Sequence, residues 1–385
     1  MTIIKKAVNY CRDYFLRKEI TLTPDKELFG KIKGWILISY IINPFIHKKR
    51  QQSLPISHTN WWECTQIAKT FLDLGYGVDV INWDNKEFTP KKKYIAFIDI
   101  HSNIERLYPY LNNDCIKILH ITGAHWLFQN EAEYNRLLKL KERRGVTLFP
   151  KRTVPPSLGI EFADFATILG NDFTVSTFSY AKKPIYKIPI SSSIIFDFPK
   201  EKNFEYCKKS YLWFGGLGMV HKGLDLVLEV FKLMPDYNLF VCGPVKDEKD
   251  FEKAFYKELY QTRNIKTIGW VDIGSQDFRK ITNNCIGFIY PSCSEGQAGS
   301  VVVCMHAGLI PIISYESGVD VGDFGILLKG CSVEEIQEKI TKLSELSIDE
   351  LKNKSYKAWE YARSNHTREK FSNEYRNFVK NVLKL

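Results

Sequence analysis

A chain of 385 residues, 44% hydrophobic and 25% charged, is globular and long enough for two domains with separate cores, which excludes disordered and fibrous classes. A net charge of +10 points to anionic partners such as phosphorylated metabolites, nucleic acid or an acidic lipid surface, without choosing among them. Nine cysteines, an odd number with no CxxC pair and mostly in apolar runs (Cys242, Cys285, Cys304), read as buried reduced thiols of a cytoplasmic protein.

The start is polar and basic with no apolar h-region, so no signal peptide is expected. Residues 3–18 fit an amphipathic helix, with Ile4, Ala7, Val8, Cys11 and Phe15 on one face and Lys5, Lys6, Arg12 and Arg17 on the other. Such a helix either lies on an anionic membrane surface or packs on its own domain, and both readings stand. Residues 1–33 are therefore set apart as a basic N-terminal extension. The most apolar run, Trp35 to Ile46, is too short to span a bilayer; with Asn43-Pro44 inside it, it reads as a buried strand leading into a loop.

From Trp35 to about Ile190, strand-like runs at 35–42, 77–82, 94–99, 116–121 and 166–169 alternate with helical periodicity at 60–74, 129–143 and 172–180. This βα alternation predicts a mostly parallel sheet covered on both faces, within a domain of residues 34–200. His58 precedes a helix start with Thr59 or Asn60 as cap. His125, in Ile121-Thr-Gly-Ala-His-Trp126, falls at a strand end facing the crevice, where Gly-Ala allows a ligand to come close. Lys91-Lys92-Lys93 and Arg143-Arg144 read as solvated charge, and residues 198–210 as a linker.

A second alternation follows, with strands at 211–215, 239–243, 265–269, 286–290, 309–314 and 324–328 and helices at 224–234, 249–261 and 333–345. It defines a second α/β domain over 201–360, before a charged helical end. Two of its loops are glycine-rich and open into helices: Phe214-Gly-Gly-Leu-Gly-Met-Val-His-Lys-Gly-Leu-Asp225 and Pro291-Ser-Cys-Ser-Glu-Gly-Gln-Ala-Gly-Ser300. Backbone N–H groups at a helix start aim at anions, and two such loops suggest a nucleotide diphosphate held from two sides.

His221 and Lys222 sit at the positive end of the following helix, which costs up to ~1 kcal/mol unless something negative offsets it. A diphosphate would do so, bound by Lys222 behind Gly215, Gly216 and Gly218. Glu295 either complements the next helix dipole or recognises sugar or ribose hydroxyls, with the amides of Gly296, Gln297, Ala298, Gly299 and Ser300 left for phosphate. A dinucleotide-dependent oxidoreductase is disfavoured, because the strand ending Val241-Cys-Gly-Pro244 lacks the acidic residue its fingerprint needs. No nucleic-acid recognition module is visible.

The second half resembles the donor-binding domain of GT-B glycosyltransferases of the retaining family-4 type. The resemblance rests on the 215–225 loop, Ile268-Gly-Trp270, Pro291-Ser-Cys-Ser-Glu-Gly296 and Ala307-Gly-Leu-Ile-Pro-Ile312. The first half is similar to the acceptor domain of bacterial enzymes that build surface polysaccharides, through His58-Thr-Asn-Trp61, Thr122-Gly-Ala-His125 and Leu169-Gly-Asn-Asp-Phe-Thr174.

The resemblance implies a GT-B fold of two Rossmann-like domains facing a cleft. It implies sugar transfer from a UDP- or GDP-sugar to a hydroxyl of a glycan or lipid-linked acceptor, with no metal and no separate cofactor. Lys222 would hold the diphosphate, Glu295 would contact the sugar, and His125 would lie near the reaction centre, with His58 and Asn60 on the acceptor side. A last helix, 361–385, would return to the first domain. Two departures are visible. Val303 stands where the family's second glutamate holds the ribose, and an arginine frequent in the first loop is replaced by Gly216 or its neighbours. Val303 also supports a rival reading, a non-catalytic partner subunit of the same fold.

Overall fold

The computed structural model describes residues 19–49 and 59–385, so the basic helix read over 3–18 and His58 lie outside the described residues. Two sheets organise the chain. The first has seven strands: β1 (Ile20–Leu22), β2 (Trp35–Tyr40), β3 (Gly77–Asn82), β4 (Tyr94–Asp99), β5 (Ile116–Ile121), β6 (Phe165–Ile168) and β7 (Ile185–Lys187), in spatial order β1-β3-β2-β4-β5-β6-β7. All pairs are parallel except β1 on β3. β2 shows why these strands read as unbroken apolar runs. Ile36 and Ile38 enter one core and Leu37 the other, because a parallel sheet is covered on both faces.

The second sheet has six strands: β8 (Ser210–Phe214), β9 (Asn238–Cys242), β10 (Ile265–Gly269), β11 (Gly287–Tyr290), β12 (Ile310–Ser314) and β13 (Ile326–Leu328). Their order is β10-β9-β8-β11-β12-β13, all parallel. The chain winds outward from β8 in one direction and from β11 in the other. The boundary between them is a topological switch point, and both glycine-rich loops leave from it.

Several expectations are corrected. Ile20–Leu22, assigned to the extension, is an antiparallel edge strand of the first sheet, and β7 was too short to carry a pattern. Asn43–Lys49 is a helix rather than a loop, since proline is well tolerated in a first turn. The linker contains a short helix, Phe204–Cys207, capped by Asn203. The helix read at 249–261 breaks at Phe255, and the charged end breaks at His366, where Thr367 caps Arg368–Leu383. The helix Gln276–Asn283, capped by Ser275, was missed.

The helix Trp126–Arg144 leaves the first sheet and packs on the second, with Leu140 in one core with Trp213, Leu224 and Phe231. Arg143 and Arg144 are therefore not solvated charge. Arg143 pairs with Asp225 (2.6 Å) and Glu229, and Arg144 with Glu258 (2.9 Å) while lying over the Phe255 ring. Lys92 likewise pairs with the buried Asp79. At the chain's end, the helix Arg368–Leu383 packs on the helix Thr59–Leu72, Phe371 against Trp62. Among the described residues all eight cysteines are free, and no helix is long and apolar enough to cross a membrane.

Candidate active site

β8 and β11 are parallel neighbours, so the loops that follow them lie side by side. They touch at Gly223, whose φ of +72° is left-handed and where an added Cβ would lie 2.4 Å from Pro291 Cγ. The backbone N–H of Cys293 donates to the His221 carbonyl at 2.9 Å, and the Ser292 hydroxyl oxygen lies 3.3 Å from the same oxygen. The helix Leu224–Leu233 begins directly after Gly223, as expected, with no side-chain cap.

Lys222 runs beneath Gly215, its Cδ 3.2 Å from where a Cβ there would stand. Its ammonium donates to Glu295 Oε1 at 2.5 Å and to the Tyr290 hydroxyl at 2.9 Å. Tyr290 and Ser292 also donate to Glu295 Oε1, at 2.9 and 3.2 Å. Burial alone would raise the Glu295 pKa. The positive charges of Lys222, His221 and Arg152 outweigh it and bring the carboxyl down to about 2. The negative partner that the sequence assigned to a bound diphosphate is thus already present in the protein. Lys222 and Glu295 form one buried unit, not two separate ligand contacts.

His221 has a different place from the one expected. Its side chain is fully buried; Nδ1 donates to Glu133 Oε2 at 2.6 Å and Nε2 to the Ser294 carbonyl. Both ring nitrogens face acceptors, so the ring is an imidazolium that braces the two loops against the helix Trp126–Arg144 rather than a donor contact. Burial opposes the charge, but the bonds to Cys293 and Glu133 and the field of Glu295 raise its pKa to about 9. A raised folded pKa adds stability that is fully present below the unfolded value near 6.5 and is lost as pH climbs through the folded one. The expected outcome is a loss on the order of 3 kcal/mol between pH 6.5 and 9.5, measured by urea unfolding. A His221→Gln variant should lack that slope; a slope equal to the wild type's would assign the effect to other groups.

The second loop is also less open than its glycines suggest. The N–H groups of Glu295 and Ala298 donate to the carbonyls of Glu316 and Ser317, both at 2.9 Å, so neither faces phosphate. Gly296 is wedged against the first sheet's strand ends: an added Cβ would lie 2.3 Å from the Thr122 carbonyl oxygen, and Thr174 Oγ1 donates to the Gly296 carbonyl at 3.2 Å. Gln297 Oε1 accepts from Ile190 N at 2.7 Å. Gly299 and Ser300 open the helix Gly299–His306, which no side chain caps. Val303, on that helix, is buried in the apolar core. In the first loop, the amides of Gly218 and Met219 are taken by the Glu248 carboxylate, while a Cβ at Gly216 would meet nothing within 4 Å.

On the other side of the cleft, His125 caps the helix Trp126–Arg144. Its Nδ1 accepts from Leu127 N at 3.3 Å, which leaves the proton on Nε2, facing the Tyr180 hydroxyl at 3.3 Å. It lines a cavity of about 130 Å³ with Thr122, Gly123, Trp126, Pro155 and Phe178. Burial lowers its pKa, so the ring is neutral near pH 7. Thr122 joins this cavity to Gly296 and so to Glu295. Asn60 lies in the first turn of Thr59–Leu72, half-buried, so the helix includes both residues expected as its cap.

Sequence reasoning missed Glu133, Gln129, Tyr290 and Arg152. Tyr290 reaches the site as the last residue of β11, whereas Glu133, Gln129 and Arg152 reach it because the helix Trp126–Arg144 crosses between the halves. Among the described residues, the atoms of Glu133, His221 and Cys293 also lie within 4.8 Å of one another, a set able to hold a metal ion. Here they bond to each other, His221 Nδ1 standing 2.6 Å from Glu133 and 3.4 Å from Cys293 Sγ.

Two Rossmann-like sheets, a switch point carrying two glycine-rich loops and a facing strand-end cavity define the GT-B class of fold. Residues 197–364 match the family of glycosyl transferases, group 1. No curated protein sequence is significantly similar to the chain.

Among solved structures, TarM of S. aureus in complex with UDP and alpha-GlcNAc-glycerol is similar at 16% identity and TM-score 0.53, over 73% of this chain and 54% of that one. HepE of Anabaena in complex with UDP and glucose is similar at 12% identity and TM-score 0.55, over 91% of this chain and 99% of that one. Sucrose-phosphate synthase of Thermosynechococcus elongatus reaches TM-score 0.62 at 12% identity, again over 91% and 99%. The chain thus spans about half of TarM and nearly all of the other two. At such identities the likeness is one of fold.

Proposed function

We propose that the protein is a glycosyltransferase that moves a sugar from a nucleoside diphosphate to a hydroxyl of a glycan or lipid-linked acceptor, with retention and without a resident metal, in polysaccharide or lipopolysaccharide synthesis at the cytoplasmic face of a membrane. The observation that carries it is the Lys222–Glu295 unit between two glycine-rich loops at the switch point. The family match over 197–364 and neighbours whose structures contain UDP support the same reading.

Breaking the sugar–phosphate bond leaves negative charge on the diphosphate. Lys222, the open backbone at Gly216 and the uncapped helix start at Gly299 and Ser300 are donors placed for it, and preorganised donors are typically the largest catalytic term. The acceptor oxygen bonds to the anomeric carbon on the face the diphosphate leaves, and its proton passes to the departing phosphate. No protein nucleophile is required. Glu295, shared between Lys222 and the sugar, orients the donor, and the His125 cavity receives the sugar or acceptor.

The rival reading, a nucleotide-sugar-binding partner without turnover, is favoured by Val303 alone. Thermal unfolding against a panel of nucleotides and nucleotide sugars separates the readings. A ligand at a hundred times its dissociation constant adds ~2.7 kcal/mol. Stabilisation by one UDP- or GDP-sugar, with nucleotide release on adding acceptor and undiminished in EDTA, is the expected result. Stabilisation with neither transfer nor hydrolysis would select the partner subunit, and loss of turnover in EDTA would remove the metal-free mechanism.

A further inference from the structure

Arg152 lies in the irregular segment between the helix Trp126–Arg144 and the short helix Gly159–Phe162, yet its backbone is fixed on both sides. Its N–H donates to Glu133 Oε1 at 3.3 Å, beside the Lys151 N–H at 2.8 Å, and its carbonyl accepts from Gln129 Nε2 at 2.8 Å. Glu133 and Gln129 are the same side chains that hold His221 and Ser294, the residues preceding Lys222 and Glu295 in the chain. The anchor of Arg152 and the frame of the Lys222–Glu295 unit are therefore one structure.

From that anchor the side chain runs across the first glycine loop. At Gly218, where φ is +98°, an added Cβ would lie 2.5 Å from Arg152 Cγ and 2.9 Å from Cδ. The glycine both takes a left-handed backbone and leaves room for the arginine stem. Among the described residues the guanidinium has no hydrogen bond and no ion pair, and the residue is exposed. Its charge is nonetheless felt by Glu295 and by Tyr290, the two partners of Lys222.

Charge balance gives that free guanidinium its meaning. Lys222 is matched by Glu295 and His221 by Glu133, while Glu248 adds a carboxylate on the amides of Gly218 and Met219. Of the three cations whose charge acts on Glu295, namely Lys222, His221 and Arg152, only Arg152 has no carboxylate partner among the described residues. The loop itself carries no arginine, and glycine stands at 216 with open space beside it. A planar guanidinium presents paired N–H donors to phosphate oxygens, which a lysine does not.

We infer that Arg152, reaching over from the segment that follows the first half's helix, binds the diphosphate of the donor. This rests on the donor site proposed above. It makes the diphosphate a bridge: Lys222 holds it from the second sheet and Arg152 from the segment anchored on the helix Trp126–Arg144.

Titration calorimetry with UDP and GDP, and with UMP and GMP as controls, tests the assignment on the full chain. Arg152→Gln keeps the stem and the backbone anchors. It should weaken the better-bound diphosphate by about ten- to a hundredfold and the matching monophosphate by less than about threefold, as loss of charge-assisted bonds predicts. Arg152→Lys should fall between, with a melting temperature equal to the wild type's. Adding Gly216→Arg to Arg152→Gln should recover most of the affinity, because a side chain at 216 has open space. Equal diphosphate affinity in wild type and Arg152→Gln overturns the role of Arg152 and leaves the donor site standing. Equal losses for mono- and diphosphate also overturn it, by reducing Arg152 to a support of the pocket. Failure of the wild type to bind either diphosphate overturns the donor site, and this inference with it.

Discussion

Lys222→Ala is expected to destabilise the protein by about 2–4 kcal/mol, more than any surface substitution, because it strands the mostly buried Glu295 carboxylate without its cation. The Glu295 pKa lies near 2 only while cations face it; without Lys222, burial pushes it upward and the loop must admit water or a proton. Donor affinity and turnover should fall together in that variant, but the loss mixes folding with binding. The double variant Lys222→Met, Glu295→Gln separates them. Replacing both charges removes the unpaired ion and should return most of the lost stability, while nucleotide-diphosphate affinity stays about ten- to a hundredfold down. Urea unfolding and calorimetry on the three proteins decide it. A double variant that binds the diphosphate as well as wild type would show that the buried pair is only a structural brace.

A second large effect is expected at Gly318. It lies at a left-handed φ of +74°, and an added Cβ would fall 1.5 Å from the Gly296 carbonyl oxygen. Gly318→Ala therefore combines a backbone penalty of ~1–2 kcal/mol with overpacking of ~1–3 kcal/mol. The turn would have to leave the loop it supports, where Glu295 and Ala298 donate to the carbonyls of Glu316 and Ser317. Because that loop holds Glu295, donor binding should fall with stability. Gly322→Ala is the matched control, its Cβ meeting only Phe324 at 3.8 Å, and it should stay within about 0.5 kcal/mol of wild type. If Gly318→Ala melts like Gly322→Ala, the 315–318 turn is not what positions Glu295.

Both predictions rest on contacts of a kind that separates what could be read along the chain from what could not. The strands of both sheets were legible because parallel strands covered on both faces are short, continuous apolar runs, as in Trp35–Tyr40 and Ile310–Ser314. Of the three-residue strands, β1 and β7 gave no pattern, whereas β13 fell inside the run read at 324–328. The start of the helix at Leu224 was legible from its glycine, and the two loops from their position after strands. Val303 could be named as a departure, though not that the core would absorb it.

By itself, then, the sequence determined two successive parallel α/β units, their order, and the strand ends that carry glycine, lysine and glutamate, since periodicity and turn chemistry are local. The tertiary structure alone decided that Lys222 pairs with Glu295 over 73 residues, that His221 is spent on Glu133 over 88, and that Ser294 meets Gln129 over 165. The first follows from β8 and β11 lying side by side, and the other two from how one helix, Trp126–Arg144, crosses from the first sheet to the second. Its direction is set by apolar burial of Leu140 and by ion pairs of Arg143 and Arg144, residues that along the chain look like an ordinary solvated face.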